Sequence, residues 1–369
     1  MLVNKDVIRF ESADNRFLEK YGFFRASTMV REHSERYTTP FVNDTDQLAR
    51  ALGLRLRHLF YLLRNIDKQY ERKEVPKKSG GTRVLYTPSF LLKQTQYFLL
   101  HNFLDKMPVS PHATAYQKGK RLTDNAGVHV GHTYLLKMDI TDFFDSITFV
   151  QVRGALFPKD MYPSHIQTML TALCCRNDTL PQGAPTSPAV SNLVMRRFDD
   201  RLGAWCEKHD IAYTRYCDDL TFSANVPLFA VYQKATAMLT EMGFTVNEKK
   251  TRFIKNTSRQ MVTGLTVNEK LSVNAEYKRA LRQELYYVLQ YGLADSIVYG
   301  KKADFLTNGK PDFHRYYHHL RGKLNFLLMA DPQNEWFQKA KKQLDVKYHW
   351  EINEEERYSR PRNARGVYF

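Results

Sequence analysis

The stretch "RYCDDLTFSA", residues 215–224, sets two carboxylates side by side inside an otherwise strand-like run. Asp is a poor strand former, and adjacent negative charges repel. An isolated Asp-Asp pair is usually a solvated turn. Here both flanks are β-prone and partly apolar, so the pair falls at the tight connection of a predicted hairpin rather than in a polar loop. A third acid, Asp139, closes another apolar strand, "YLLKMDI". Three carboxylates at strand ends converge only where those strands are neighbours. Clustered oxygen ligands of this kind suit Mg²⁺ better than zinc. Two such ions about 4 Å apart stabilise the attacking and leaving oxygens of an in-line phosphoryl displacement.

Composition supplies the context. Of 369 residues, 43% are hydrophobic, enough for one large core or several packed subdomains. Lys and Arg number 55 against 39 Asp and Glu, a formal net charge of +16. That surplus favours a polyanionic partner, nucleic acid before an anionic membrane. A focal acid cluster on a basic chain reads as a nucleotidyl-transfer enzyme or a nuclease. The start, "MLVNKDVIRFESADNRF", lacks an apolar core of signal-peptide length. No apolar run reaches the ~18 residues of a membrane span. Cys174, Cys175, Cys206 and Cys217 form no CxxC pair, which argues against a disulfide framework or a zinc site. The expectation is a cytoplasmic, reduced chain with no membrane partner.

Along the chain, residues 1–45 lack clear periodicity and read as an appendage. Apolar spacing predicts a helix over 44–66, a basic hairpin over 71–88 around "SGG", and a second helix in "SFLLKQTQYFLLHNFLDKM". "YLLKMDI" is a strand that turns into a helix, with Asp142 and Asp145 as helix-start acids. "TLPQGAPTSPAVSNLVMRRFDDRLGAWCEKH" is a Pro- and Gly-rich loop feeding a long helix. "IAYTRYCDDLTFSAN" is two short strands. A helix stopped at Gly243, a strand, the strand pair "RQMVTGLTVNEKLSVN" and a basic helical region from Ala275 follow. Helices alternate with antiparallel strand pairs, so the class is α+β.

Taken together, these blocks resemble a known family. "RYCDDLTFSA" looks like the [YF]xDD hairpin of reverse transcriptases, and "LLKMDITDFFDSI" resembles their first metal-binding motif. "LPQGAPTSPAVSNLVMRRFD" is similar to their PQG-x-P-x-SP motif, "GFTVNEKKT" to their Lys-bearing motif, and "MVTGLTVN" falls at the primer-grip strand pair. The five blocks come in the family's order. "DNAGVHVG" (124–131) and "VTG" (262–264) narrow the resemblance to retron reverse transcriptases, and "LRGKLNFLLMAD" looks like a late thumb segment. The similarity covers roughly residues 50–331.

The resemblance implies a right-hand polymerase with fingers, an antiparallel palm sheet packed on helices, and a helical thumb. Residues 1–45 would be an extension, 46–270 fingers and palm, and 271–369 thumb and tail. Asp139, Asp218 and Asp219 would be catalytic and hold two Mg²⁺ with the Ile140 carbonyl. Phe144, five residues after Asp139, falls where the family places a gate against a nucleotide 2′-OH, whereas Phe143 reads as core. Arg83 would grip the triphosphate, with Lys77 and Lys78 either assisting or forming a solvated turn. Gln182 and Gly183 fit the family's nucleotide and template contact, and Pro185 and Pro188 set that loop through their fixed φ. Lys249 or Lys250 would donate a proton to pyrophosphate, or close a solvated strand. Asn125 and His129 are either loop-shaping or RNA-contacting, and Val262, Thr263 and Gly264 lie near the primer. Lys278, Arg279, Arg282, Lys301, Lys302, Arg315, Arg321 and Lys323, interleaved with aromatic residues, suit RNA phosphates and exposed bases. Cys217 stands where the family more often has Ala, a packing position with no thiol chemistry.

The implied reaction is reverse transcription of a cognate structured non-coding RNA, primed from a guanosine 2′-OH and consuming dNTPs. Its product is branched RNA-linked DNA (msDNA). No RNase H block follows the thumb, so a host RNase H would trim the template. A separate effector or toxin would complete an antiphage system. Other bacterial reverse transcriptases (intron-encoded, abortive-infection or diversity-generating) and a nucleic-acid scaffold that restrains a toxin are the alternatives.

Overall fold

The computed structural model describes residues 42–76, 80–157 and 162–359, with side chains as far as 348. Most of the expected N-terminal extension, Lys77, Lys78 and the last ten residues lie outside that range. The described residues form two compact units. One runs to Arg121 and resumes from Tyr134 to Phe253; the other comprises Leu122–Thr133 and the chain from Ile254 onward.

The described part of the first unit opens with two helices, Thr45–Ala51 and Leu56–Arg64, where apolar spacing alone predicts one. Gly53 divides them, in the left-handed region at φ +67°. The basic hairpin follows as β1 (Tyr70–Pro76) and β2 (Thr82–Pro88), antiparallel with Val75 opposite Arg83. The helix Phe90–Asn102 is capped by Ser89, and its buried Gln96 donates to the Tyr70 hydroxyl and the Leu173 carbonyl. That amide ties the base of the hairpin to the helix Ser164–Cys174.

The central strand is "YLLKMD", which sets Tyr134, Leu136 and Met138 on one face and Leu135 with Lys137 and Asp139 on the other. It is β3 (Tyr134–Asp139), with Leu135, Leu136 and Met138 buried. It pairs antiparallel with β5 (Asp219–Ala224), which pairs antiparallel with β4 (Ala212–Tyr216). The order is β4-β5-β3-β6, β6 being Arg252–Lys255. The long helix Ser187–Glu207 starts with Pro188 in its first turn, where a missing N–H costs nothing. It buries Asn192, Met195, Asp199, Leu202 and Cys206, a stripe at helical spacing. Two of those five are polar.

After β3 the chain turns through residues 141–146 before the helix Phe149–Leu156. Thr148 and Gln151 form a capping box there, so Asp142 and Asp145 are turn residues and not the helix-start acids expected. Past Gly243 the chain runs irregularly to β6, with an isolated Ile140–Val246 bridge at the sheet edge.

In the second unit, β7 (Met261–Val262) and β8 (Leu265–Thr266) form a short hairpin. The segment after the helix Leu122–Gly127 docks on it, Gly131 N–H donating to the Val267 carbonyl. Helices Ala275–Tyr291, Phe313–Ala330 and Glu335–Ser359 bury Leu281, Leu285 and Val288, then Leu320, Leu324 and Leu327, then Phe337, Ala340 and Leu344. The spacings of three and four residues give each helix one apolar stripe. No helix among the described residues is long and apolar enough to cross a membrane.

Candidate active site

Antiparallel register brings the acids together. Asp139, the last residue of β3, lies directly opposite Asp219, the first of β5. Asp218 occupies the two-residue turn before it, and its carbonyl accepts from the Ile140 N–H at 3.1 Å. Like charges directly opposite on a sheet are destabilising, so this arrangement needs a cation. Lys250 supplies one, its Nζ lying 2.8 and 3.0 Å from the two Asp139 oxygens. The Lys250 ammonium is held above its ordinary pKa by that hydrogen bond. Burial, followed by the charges of Asp218 and Asp139, lifts the Asp219 carboxyl above the usual range.

A cavity of about 520 Å³ opens on these acids. Arg83 on β2, Phe144 and Gln182 line it together with Asp139, Ile140, Asp218, Asp219 and Lys250. Phe143 also borders the cavity, but its ring packs against Phe244 and is buried in the core. Gln182 is placed by its backbone, since its carbonyl accepts from Tyr86 N–H at 2.7 Å. Gly183 is required at the same contact: it has φ +114°, and a Cβ there would sit 2.9 Å from the Tyr86 carbonyl oxygen. Of the two lysines, Lys250 reaches the cavity; Lys249 is exposed and does not line it.

As the side chains stand, no three His, Cys, Asp or Glu among the described residues are arranged to hold an ion. The donor set nonetheless fits a hard divalent cation: carboxylate oxygens and the Ile140 carbonyl at one cavity, with Asp219 disfavoured as an anion until a cation arrives. In this arrangement Lys250 takes the Asp139 oxygens that an ion would use.

Sequence reading missed three residues. Tyr116 lines the cavity in the left-handed region (φ +59°), and its hydroxyl lies 3.3 Å from Cys217 Sγ. Burial and Asp218 push the Cys217 thiol up to about 12, so it stays protonated. Arg215 and Asp199 form an ion pair at 2.6 Å with both side chains fully buried. Charges interrupting a buried strand and a helix stripe were their only sequence signal; Tyr116 left none.

The residues expected to face RNA or primer belong to the second unit. Asn125 Nδ2 donates to Thr263 Oγ1 at 3.3 Å, so the "NAGVH" and "VTG" segments meet. Asn125 and His129 are buried, and burial pushes His129 down to about 3, keeping the imidazole neutral. Of the two roles open to them, that placement supports loop-shaping. Val262 is buried, while Thr263 and Gly264 form the turn. Arg321 pairs with Asp345, Lys278 with Asp331, and Lys302 and Lys323 both with Glu284. Four of the eight cations expected to face RNA are therefore held in ion pairs, Arg282 and Arg315 lie over the Trp336 and Phe305 rings, and Arg279 bonds the Ala275 carbonyl.

The profile of the reverse transcriptase (RNA-dependent DNA polymerase) family matches residues 75–270, which contain the cavity's acids, Arg83, Gln182 and Lys250. The chain belongs to the reverse transcriptases, among those of retrons. It is 36% identical over 275 residues to the retron Mx65 reverse transcriptase of Myxococcus xanthus, covering 68% of this chain and 64% of that one. It is 30% identical over 300 residues to the retron Ec86 reverse transcriptase of Escherichia coli, covering 80% and 87%. It is 31% identical to the Escherichia coli retron Ec83 reverse transcriptase over 279 residues, covering 71% and 83%. Among solved structures, telomerase from Candida albicans with a fragment of telomeric RNA aligns over 79% of this chain and 64% of its own at TM-score 0.42 and 11% identity. For this reverse transcriptase the α+β class with antiparallel sheets holds.

Proposed function

We propose that the chain reverse transcribes a cognate structured non-coding RNA into msDNA, priming from a guanosine 2′-OH. The observation that carries this is the facing of Asp139 and Asp219 across β3 and β5, with Asp218 in the adjoining turn, on a cavity walled by Arg83, Phe144 and Gln182. The three acids and the Ile140 carbonyl would hold two Mg²⁺, which when bound supply charge stabilisation to the attacking hydroxyl and the departing pyrophosphate. Arg83 grips the triphosphate with its fork. Phe144, on the cavity wall, disfavours a ribose 2′-OH, selecting dNTPs. Gln182 and Gly183 set the nucleotide against the template. Lys250, kept protonated beside Asp139, leaves that carboxylate and gives its proton to pyrophosphate.

In this reading residues 46–270 are fingers and palm and 271–369 thumb and tail. The thumb's RNA face is supported by a cavity of about 850 Å³ lined by Tyr287, Tyr291 and Tyr299, with base stacking as its use, while the lining lysines Lys302 and Lys323 are paired with Glu284. The "VTG" turn lies by the primer. Template trimming falls to a host RNase H, and a separate effector completes an antiphage system in the cytoplasm.

The test is expression with the adjoining RNA locus, followed by debranching of the isolated nucleic acid. Branched 2′,5′-linked RNA–DNA is expected. An Asp218→Asn, Asp219→Asn double variant should give no DNA while still retaining the RNA. Unbranched product would refute retron-type priming, and normal product from the double variant would refute the metal assignment.

A further inference from the structure

We infer that Arg215 is a positioning residue for the acidic turn, and that Asp199 anchors it from the helix beneath the sheet. The proposal rests on the reading of Asp218 and Asp219 as metal-holding carboxylates.

The turn between β4 and β5 has two residues, Cys217 and Asp218, because Tyr216 pairs with Asp219. Only the first is left-handed, Cys217 at φ +61°. That is the hairpin geometry that places Gly at the first turn position. A residue with a Cβ is disfavoured there and must be held in place. Arg215 Nη1 donates to the Cys217 carbonyl at 2.9 Å. Fixing that carbonyl fixes the peptide plane joining Cys217 to Asp218, and so the direction in which Asp218 leaves the turn.

Arg215 cannot shift in its turn. Its Nε and Nη2 grip both Asp199 oxygens, at 2.9 and 2.6 Å, while Nη2 also lies 3.2 Å from Asn192 Oδ1. Tyr213 OH fills a further Asp199 site at 2.8 Å. The Arg215 backbone is clamped as well, its N–H donating to the His112 carbonyl and its carbonyl accepting from Thr114 N–H, each at 2.8 Å. Asn192 Nδ2 donates to the Ala115 carbonyl at 2.8 Å, directly before the cavity residue Tyr116. The guanidinium thus ties helix to strand and turn, and the Arg215 backbone and Asn192 add the 112–116 segment. A buried ion pair adds little net stability over well-packed apolar side chains. Its retention here fits the placing of a carboxylate.

The test uses the full chain with its RNA. Arg215→Met combined with Asp199→Leu replaces the pair by packing without the bond to Cys217, and Arg215→Lys keeps the charge without the fork. Single-nucleotide incorporation and Mn²⁺ binding, followed by electron paramagnetic resonance, are measured with and without Cys217→Gly. Each Arg215 variant should lose about 10²-fold in kcat and about tenfold in Mn²⁺ affinity, with the dNTP KM little changed. Cys217→Gly should recover about tenfold in kcat, because Gly takes the left-handed backbone unaided. Native rates in the Arg215 variants, or a loss that Cys217→Gly does not relieve, would overturn the positioning role. Asp218→Asn serves as the control: if it retains incorporation, the carboxylate reading itself fails and the proposal with it. If it is inactive while Arg215→Lys is native, only the proposal fails.

Discussion

The two-residue hairpins at Cys217–Asp218 and at Thr263–Gly264 solve one problem in opposite ways. The second is left-handed at both positions (φ +46° and +83°), with the β-branched Thr263 at the first and a Gly at the second. Its outside support is a neutral hydrogen bond from Asn125. The first is left-handed at Cys217 alone, has no Gly, and is supported by a buried guanidinium on a buried carboxylate. Both turns carry one non-Gly left-handed residue, Thr263 and Cys217, and the turn beside the acids has the heavier scaffold. A turn that must present an acid beside another acid is built with strain and held from below.

That contrast ranks the expected costs. Arg215→Met alone strands Asp199 in the core and should cost about 3–5 kcal/mol in denaturant unfolding, most of it regained when Asp199→Leu is added. Gly264→Ala puts a Cβ at a left-handed position and should cost about 1–2 kcal/mol. Asn125→Ala removes the bond to Thr263 and should cost about 1 kcal/mol or more. Cys217→Ala keeps the strain and most of the volume, so its stability change should stay below about 1 kcal/mol. Equal costs for Arg215→Met and Asn125→Ala would erase the distinction.

The two regions should also respond oppositely to pH. Asp219 has a raised carboxyl pKa, so its contribution is present below the unfolded value near ~4 and is lost as pH rises through the folded value. Without divalent cation the acidic hairpin therefore weakens toward neutrality, and the gain in Tm from Mg²⁺ should be larger at high pH than at low. His129, pushed down to about 3, behaves in reverse. Its contribution is present above the unfolded value of ~6.5 and falls by up to about 1.4 kcal/mol per pH unit below it. His129→Gln should flatten that acid limb in melts.

What was legible in sequence was local. "YLLKMD", the Gly-Gly hairpin and "RYCDD" each declare a strand or turn through period and turn chemistry, and their order suffices for the antiparallel sheet. Gly183 was read as a nucleotide contact, while its steric need against the Tyr86 carbonyl is a property of two segments meeting. The same holds for Asn125 against Thr263 and for Asp199 against Arg215: each is an ordinary polar residue until the fold supplies its partner. The helix over 44–66 divided because Gly53 is a stop that apolar spacing ignores. Lys249 and Lys250 could not be told apart until the backbone turned one of them toward Asp139.

The central claim is that three carboxylates at this cavity carry RNA-templated nucleotide addition. Its most direct test is incorporation of a single labelled dNTP opposite a defined RNA template base by the purified chain, compared with its Asp219→Asn variant at equal RNA occupancy. The account predicts incorporation that follows the template base, requires a divalent cation and disappears in the variant while RNA stays bound. Template-directed incorporation that survives Asp219→Asn would contradict it.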